Sequence, residues 1–203
     1  MSRLIKYIVN EKYSEINKQL DKILSECKPM VEMVRKSGYN YVYRSSKSEY
    51  PLGKRKISGE RKPRYIDKEL HEILGGWSKE KFGWNMREDG LFCGSLDLFP
   101  HTYNYIIFPI GTFKYAVHPD IDNLWSFFNK GLWSGYKEPR DEEEKDYYEK
   151  MEKDMKVEFD KYRDKGLHNI MKSDKDWEVI IKCKEYYPID ISYEDIITER
   201  LND

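Results

Sequence analysis

Arg44 lies on a predicted strand, where a charged side chain needs a partner. In the stretch YNYVYRSS, residues 39–46, tyrosines alternate with Asn40, Val42 and Arg44, which is the two-residue period of a strand. Val42 and Arg44 would then share one face, and burying a guanidinium beside an apolar residue is unfavourable unless the charge is paired. A structural salt bridge would supply the partner. An anionic ligand is the alternative, because arginine binds phosphate oxygens through its planar guanidinium.

Two further segments combine a predicted strand with polar side chains. LFCGSLDLF predicts a short strand entering a turn and carries Cys93 and Ser95, whereas DWEVII opens with Asp176 and Glu178 and continues as an apolar, β-branched strand. Each residue alone has a structural role open to it: Glu178 as an edge-strand charge, Ser95 as a turn residue and Cys93 as a small buried hydrophobe. In chain order, however, they give an arginine on an early strand, a serine on a middle strand and a carboxylate opening a late strand.

This order resembles the R-S-E pattern of the mono-ADP-ribosyltransferases. VYRSS is similar to the first-strand VYRG of that family, and DWEVII is similar to its QxEVLL or ExEVLI strand. RKPRYIDKELHEIL, MREDGLFCGS and IFPIGTFKYAVHPDIDNLW also resemble uncharacterised phage and bacterial proteins associated with that fold. The resemblance covers residues 39–190. Because each motif is short, the resemblance depends on their order, their spacing and the WEVII context.

The resemblance implies that NAD is the substrate and that ADP-ribose is transferred with release of nicotinamide. Cleaving the nicotinamide–ribose bond generates an oxocarbenium-like centre, which a nearby carboxylate stabilises as charge develops. By resemblance, Glu178 would hold the ribose 2′-hydroxyl and play this part, and Ser95 would support Glu178 or the ribose. Arg44, with its neighbour Ser45, would bind the phosphate or nearby ribose. Asp176, expected on the same strand face as Glu178, would meet the acceptor.

The sequence departs from the family pattern at two positions. The serine motif of the family is often Ser-Thr-Ser with the first serine catalytic; aligned in this way, Cys93 takes the first place and Ser95 the third, so either could fill the position. The family has Gln or Glu where this chain has the shorter Asp176, which leaves the acceptor open between protein and nucleic acid. Phe113 or Tyr103 could stack on nicotinamide, although core packing is the simpler role for either ring.

Helices are predicted where apolar residues recur with a 3.6-residue period. Pro29 should break or kink the first of them, and Gly38 should end it. The fourth is a long charged helix with a narrow apolar stripe, and its eleven acidic residues between Glu138 and Asp160 indicate a solvated face. These first four predicted helices cover residues 11–36, 67–82, 119–128 and 138–165.

The strand predictions complete an α+β protein, because helices come first, strands follow and the connections are mixed. Ser192 is expected to cap a closing helix, with Asp195 as the second half of a capping box. We expect one domain over residues 1–203: a helical segment at 1–38, an ADP-ribosyltransferase-like core of mixed or antiparallel sheets at 39–191, and a C-terminal helix at 192–203. Strands are predicted at 39–46, 105–119 (two strands joined at Pro109–Gly111), 179–181 and 186–191, and a short strand entering a turn is predicted within 91–99.

Bulk properties exclude several classes of protein. The 203 residues are 36% charged with a formal net charge of −1, so no global field favours nucleic acid or membrane. We find no apolar run long enough to span a bilayer and no signal peptide. The four histidines and three cysteines lack metal-ligand spacing, and GxxxxGK[ST] and GxGxxG motifs are absent. The odd, sparse cysteines favour reduced thiols in a cytoplasm, the host cytoplasm if the protein is viral.

The segment 47–65 is predicted to be a basic loop, with seven Lys or Arg residues between Lys47 and Arg64. Such a loop is either simply solvated or a surface for phosphates, in a cofactor or a nucleic acid. Three functions are therefore carried forward. The first is ADP-ribosyl transfer, and the second is NAD glycohydrolysis on the same fold. The third is a non-catalytic, phage-type modulator that binds nucleic acid or a host protein through the basic 54–64 loop.

Overall fold

A computed structural model describes residues 3–57, 68–98, 103–120, 124, 128 and 142–202. The helices in this part of the chain are α1 (Arg3–Glu26), α2 (Lys28–Lys36), α3 (Lys68–Phe82), α4 (Met86–Asp89), α5 (Glu142–Phe159), α6 (Leu167–Ile170) and α7 (Glu194–Asn202). The strands are β1 (Tyr43–Ser46), β2 (Arg55–Lys56), β3 (Leu91–Gly94), β4 (Tyr103–Pro109), β5 (Lys114–Val117), β6 (Glu178–Lys182) and β7 (Glu185–Asp190).

The strands form one sheet in the order β2-β7-β4-β1-β3-β6-β5. Every pairing between these strands is antiparallel, and the α+β class is confirmed. The pairing is uneven along the sheet: β1 pairs with β4 over four residues and β3 with β6 over four, but β1 and β3 pair only at Tyr43 and Gly94. The sheet is therefore two well-paired parts joined by a narrow junction.

Two apolar clusters cover the sheet. The first joins α1, α2 and α7 to β4 and β7, with Leu20 and Leu201 among its buried residues. The second packs α3, α4 and α5 against β3, β5 and β6, with Met155 and Phe159 contributed by the charged helix. Fully burying one such side chain stabilises the fold by roughly 1.5–3 kcal/mol, so the narrow apolar stripe of α5 is enough to hold it in place.

The helix predictions agree with the structure best at their interruptions and ends. The predicted first helix divides at Cys27, and Pro29 lies in the first turn of α2, where its missing N–H costs nothing. Gly38 follows α2 with φ of 75°, the left-handed conformation that ends helices. However, α1 begins at Arg3, ahead of the predicted start at residue 11. Residues 119–128 lie outside the described residues except for 119, 120, Leu124 and Phe128.

Several strand and cap predictions need correction. Residues 39–42 are not part of β1, since Tyr39 has φ of 65° and cannot extend a strand. The predicted loop contains the short strand β2. The prediction of a short strand entering a turn within 91–99 is confirmed, because β3 ends at Gly94 and a 3-10 turn follows at Leu96–Leu98. A 3-10 turn at Ile191–Tyr193 precedes α7 and is capped by Asp190, whose carboxylate accepts from the Ser192 N–H, so Ser192 lies inside this turn instead of before it.

Candidate active site

The strands that carry Arg44, Ser95 and Glu178 are neighbours in the sheet. β1, β3 and β6 are consecutive in the strand order, and Ser95 directly follows β3. Tyr43 lies opposite Gly94, and Gly94 lies opposite Glu178, so one row of residues crosses all three strands. This row lies at the narrow junction between the two parts of the sheet.

Arg44 fills the place where the β1–β3 pairing stops. Its Nη1 donates to the carbonyl oxygen of Phe92 at 2.7 Å, which satisfies a strand carbonyl that the short β1–β3 ladder does not reach. Its Nε is buried and has no hydrogen-bond partner among the described residues. In that same part of the chain no carboxylate lies within salt-bridge distance of Arg44, so the guanidinium is held by a backbone dipole instead of a structural ion pair.

Aromatic and cationic groups surround Arg44. Tyr50 stacks on Tyr105 with ring centroids 4.6 Å apart, and the guanidinium carbon of Arg55 lies 4.1 Å from the centroid of the Tyr50 ring. Burial raises the pKa of the Tyr50 hydroxyl, but its hydrogen bond with Ser46 and the charges of Arg44 and Arg55 outweigh burial and lower that pKa overall. The region next to β1 is therefore electropositive and lined by flat rings.

Ser95 and Asp176 contact each other directly. The Ser95 hydroxyl donates to Asp176 Oδ1 at 2.9 Å, and the Trp177 N–H donates to the same hydroxyl at 3.4 Å. The Ser95 N–H donates to the Trp177 carbonyl at 2.9 Å, so the β3–β6 pairing continues one step past the strands. Asp176 is exposed and lies two residues before β6 begins, so it is not part of the strand that carries Glu178. In this structure the Ser95 hydroxyl therefore orients the Asp176 carboxylate.

Glu178 opens β6 and is half-buried. Its Oε1 accepts from the Leu124 N–H at 3.1 Å, and its strand partner Gly94 has no side chain to fill the space beside it. Burial raises the pKa of the Tyr162 hydroxyl well above its ordinary value, and the charge of Glu178 raises it further. The carboxylate thus lies at the edge of the second apolar cluster, close enough to the Tyr162 hydroxyl for its charge to raise the pKa of that group.

Arg87 is a buried cation that the sequence did not identify. Arg87 is only 8% exposed, and its guanidinium carbon lies 4.9 Å from the Phe92 ring centroid. Burial lowers the pKa of Arg87, and the charge of Glu178 opposes that effect. Asn85 fixes the local backbone by accepting from the Arg87 N–H at 2.9 Å. The Asn in NMRED is a helix-capping signal, yet nothing in that signal indicates burial.

The side chains of Arg44 and Glu178 leave the sheet from opposite faces. Successive residues of a strand alternate in direction, and Glu178 shares its row with Tyr43, the residue before Arg44. Cys93, one residue before Gly94, is fully buried on the face of Arg44, and Ser45 lies on the face of Glu178 opposite Asn104. The predicted residues therefore surround the junction on both faces.

Phe113 lies far from this junction. It precedes Lys114, which pairs with the last residue of β6, Lys182, whereas Glu178 is the first residue of that strand. At about 3.3 Å per residue, the two ends are about 13 Å apart. The structure brings Ser95 together with Asp176 and places Arg44, Cys93 and Glu178 at one junction, but it leaves Phe113 at the other end of the sheet.

Comparison with known proteins adds no relative: no family model, no curated protein and no solved structure matches the chain. Within the described ranges, no three His, Cys, Asp or Glu side chains converge as metal ligands, and the three cysteines form no disulfide. None of the helices that the structure describes has the length and apolar character needed to cross a membrane.

Proposed function

We propose that this chain is an ADP-ribosyltransferase: it cleaves NAD between nicotinamide and ribose and transfers ADP-ribose to a macromolecular acceptor, protein or nucleic acid. The observation that carries the proposal is the adjacency of β1, β3 and β6, which bear Arg44, Ser95 and Glu178. Three segments distant in sequence are neighbours in space, in the order that the resemblance requires. The sheet is then an ADP-ribosyltransferase-like core. The protein is then cytoplasmic, and its three cysteines are reduced thiols.

The surroundings of Arg44 support binding of the anionic part of NAD. The buried Nε of Arg44 lacks an acceptor among the described residues, and a phosphate oxygen would supply one. Arg55 adds a second positive charge, and the stacked Tyr50 and Tyr105 rings offer a flat apolar surface of the kind that a nucleotide base contacts. These features fit a dinucleotide better than they fit a structural salt bridge.

Glu178 would promote the bond cleavage. Nicotinamide leaves with the electrons of its bond to the ribose and is released as a neutral molecule, while positive charge develops on the ribose. The Glu178 carboxylate stabilises that charge in a partly buried site, where electrostatic interactions are stronger than in water. An acceptor nucleophile then forms the new bond to the ribose carbon and loses its proton.

Asp176 would receive the acceptor, because it is exposed and its carboxylate is oriented by the Ser95 hydroxyl. Its free oxygen is suited to taking the proton of the nucleophile. Because Arg44 and Glu178 leave the sheet from opposite faces, one NAD molecule would contact both only by passing through the β1–β3 junction, where the pairing is limited to Tyr43 and Gly94. Two strand spacings, about 10 Å, separate β1 from β6, and a dinucleotide covers that span.

Incubation with NAD labelled on its adenylate tests the proposal. Label retained on protein or nucleic acid after denaturing separation is the expected result, and Asp176→Asn should reduce transfer more than it reduces nicotinamide release. Free labelled ADP-ribose without labelled acceptor would instead identify a glycohydrolase that uses water. No nicotinamide release under any condition would contradict both activities. It would favour the non-catalytic modulator, for which charge reversal at Arg55 and Lys56 should abolish binding.

A further inference from the structure

A cleft of about 580 Å³ opens at the opposite end of β6 from Glu178. It lies where the β4–β5 turn and the β6–β7 turn meet, beside the short strand β2. Its volume falls within the range of about 300–1,000 Å³ that is typical of small-molecule sites. The residues that determine its chemistry are Lys56, Lys114, Lys182, Lys184, Asp89 and Phe113.

The charge of this cleft is strongly positive. Lys182 Nζ lies 2.8 Å from Asp89 Oδ2, so the carboxylate that Asp89 contributes to the lining is already paired. Lys56, Lys114 and Lys184 remain, and none of them is within salt-bridge distance of a carboxylate in the described part of the chain. Three like charges around one cavity repel each other, and an anionic ligand would remove that repulsion.

The other wall of the cleft is apolar. Phe113 is half-buried and its ring lies 6.2 Å from that of Tyr115, which holds it in a tilted position. Cys183 lies beside it, and burial raises the pKa of its thiol to about 12, so this side chain contributes an uncharged surface. A ligand matched to both walls carries a planar ring for Phe113 and two or more negative charges for the lysines.

We propose that this cleft binds a nucleoside phosphate, with its base on Phe113 and its phosphates among Lys56, Lys114 and Lys184. Inorganic phosphate would leave the aromatic wall uncovered, and an unphosphorylated nucleoside would leave the lysines without counter-charge. The cleft is a second site, separate from the β1–β3 junction and about 13 Å from Glu178 along β6.

Calorimetric titration with ADP tests this site. We expect saturable one-to-one binding that weakens about tenfold or more in the Lys114→Glu/Lys184→Glu double variant, because each reversal removes a charge-assisted contact and adds repulsion. The matched control is Lys150→Glu/Lys153→Glu, which changes the net charge equally on exposed residues of α5 that do not line the cleft. Phe113→Leu should weaken binding of ADP, whereas Phe113→Tyr should preserve it and neither should change binding of pyrophosphate.

Further arms separate the nucleotide site from non-specific charge attraction and from the proposed NAD site. Equal loss of ADP binding in the α5 control would show that net charge alone attracts the ligand, and binding lost in Arg44→Lys but kept in the cleft variant would place ADP at the junction. Either result would overturn the inference. An oligonucleotide of ten nucleotides that displaces ADP and binds more tightly than ADP would also overturn it. Nicotinamide release from NAD should be unchanged in the cleft variant, so the two proposals can fail independently.

Discussion

The guanidinium of Arg44 combines a structural contact with an unused donor. Its Nη1 donates a hydrogen bond to the Phe92 carbonyl where the β1–β3 ladder ends, while its buried Nε has no acceptor among the described residues. An unsatisfied buried donor costs about 1–3 kcal/mol, so the fold retains a group that a ligand acceptor would stabilise. Glu178, across the same junction, supplies the negative charge that ribose chemistry needs.

Replacing Glu178 with glutamine should reduce nicotinamide release by about 100- to 1,000-fold, because the neutral amide cannot stabilise charge that develops on the ribose. The dissociation constant for NAD should change little, since the two side chains have the same shape. Single-turnover kinetics and calorimetry measure the two quantities. Glu185→Gln, at the far end of the β6–β7 turn, is the matched control and should retain full activity; full activity in Glu178→Gln would end the catalytic role assigned to this residue.

Replacing Arg44 with lysine should raise the KM for NAD about tenfold, because lysine keeps the charge but loses the planar guanidinium. The kcat should fall much less, since this contact is made in both the bound substrate and the transition state. Arg35→Lys is a control of the same kind, because Arg35 also donates from its guanidinium to a backbone carbonyl, that of Leu201, at 2.9 Å. An equal change in KM for both variants would mean that Arg44 acts only through stability.

The sequence predicted which residues would form the site better than it predicted the contacts that these residues make. Arg44, Ser95 and Glu178 were selected from order and strand context, but the Ser95–Asp176 hydrogen bond depends on where β6 begins, which no local pattern states. The burial of Arg87 depends on α4 packing beneath β3, a tertiary contact. Charge in the sequence cannot by itself distinguish a solvated arginine from a buried one.

Among the elements, the short helix α4 approaches the sheet closely. Gly90 follows α4, and a Cβ at this position would overlap the Met86 carbonyl and the Cγ2 of Ile180, a residue of β6. Glycine is therefore required here by close approach. Because Ile180 lies two residues after Glu178, this contact also helps to set the position of the strand that carries the carboxylate.

The variant Gly90→Ala should lower the free energy of unfolding by about 1–3 kcal/mol, because backbone atoms cannot move aside as a flexible side chain can. Urea denaturation followed by circular dichroism measures the change. Gly76→Ala is the matched control: Gly76 is exposed within α3 with nothing near its Cβ position, so this change should stabilise the protein by about 0.5–1 kcal/mol. Destabilisation of the same size in both variants would contradict the packing described for α4.

The periodicity of apolar residues predicted which segments are helices and which are strands, but it did not predict how the strands pair. The apolar stripes predicted α3 and α5, and the Pro109–Gly111 turn between β4 and β5 was correct because proline and glycine mark turns by their backbone geometry. The strand pairing of β1 with both β3 and β4 involves segments far apart in the chain. Alternation of residue types predicts which side chains share a face of a strand, but it does not predict which strands pair with each other.

For the whole molecule, His118 connects the sheet to α5. Its Nδ1 accepts from the Asp120 N–H at 3.0 Å, so Nε2 carries the proton and donates to the Glu158 carbonyl at 3.2 Å. Burial lowers the pKa of His118 from its ordinary value of 6.5, and the hydrogen bond to Glu158 opposes that effect only in part. The folded protein therefore holds this ring neutral.

Stability should consequently fall as the pH is lowered through about 6.5, because the unfolded chain then binds a proton that the folded protein resists. Chemical denaturation at a series of pH values should show a shallower slope between about pH 7 and pH 5 for His118→Gln than for the wild-type protein. Glu194, whose pKa is raised by burial, contributes in the opposite sense but is common to both proteins, so it cancels in the comparison. The control His168→Gln, at a half-exposed position, should keep the wild-type slope; a slope unchanged by His118→Gln would refute the assignment.

A crystal structure of the Glu178→Gln variant with NAD would show whether one NAD molecule contacts both sides of the β1–β3 junction. We expect a diphosphate oxygen within hydrogen-bond distance of the Arg44 guanidinium and the nicotinamide ribose beside the side chain at position 178. NAD bound only in the lysine-lined cleft, or touching position 44 or position 178 but not both, would contradict the claim.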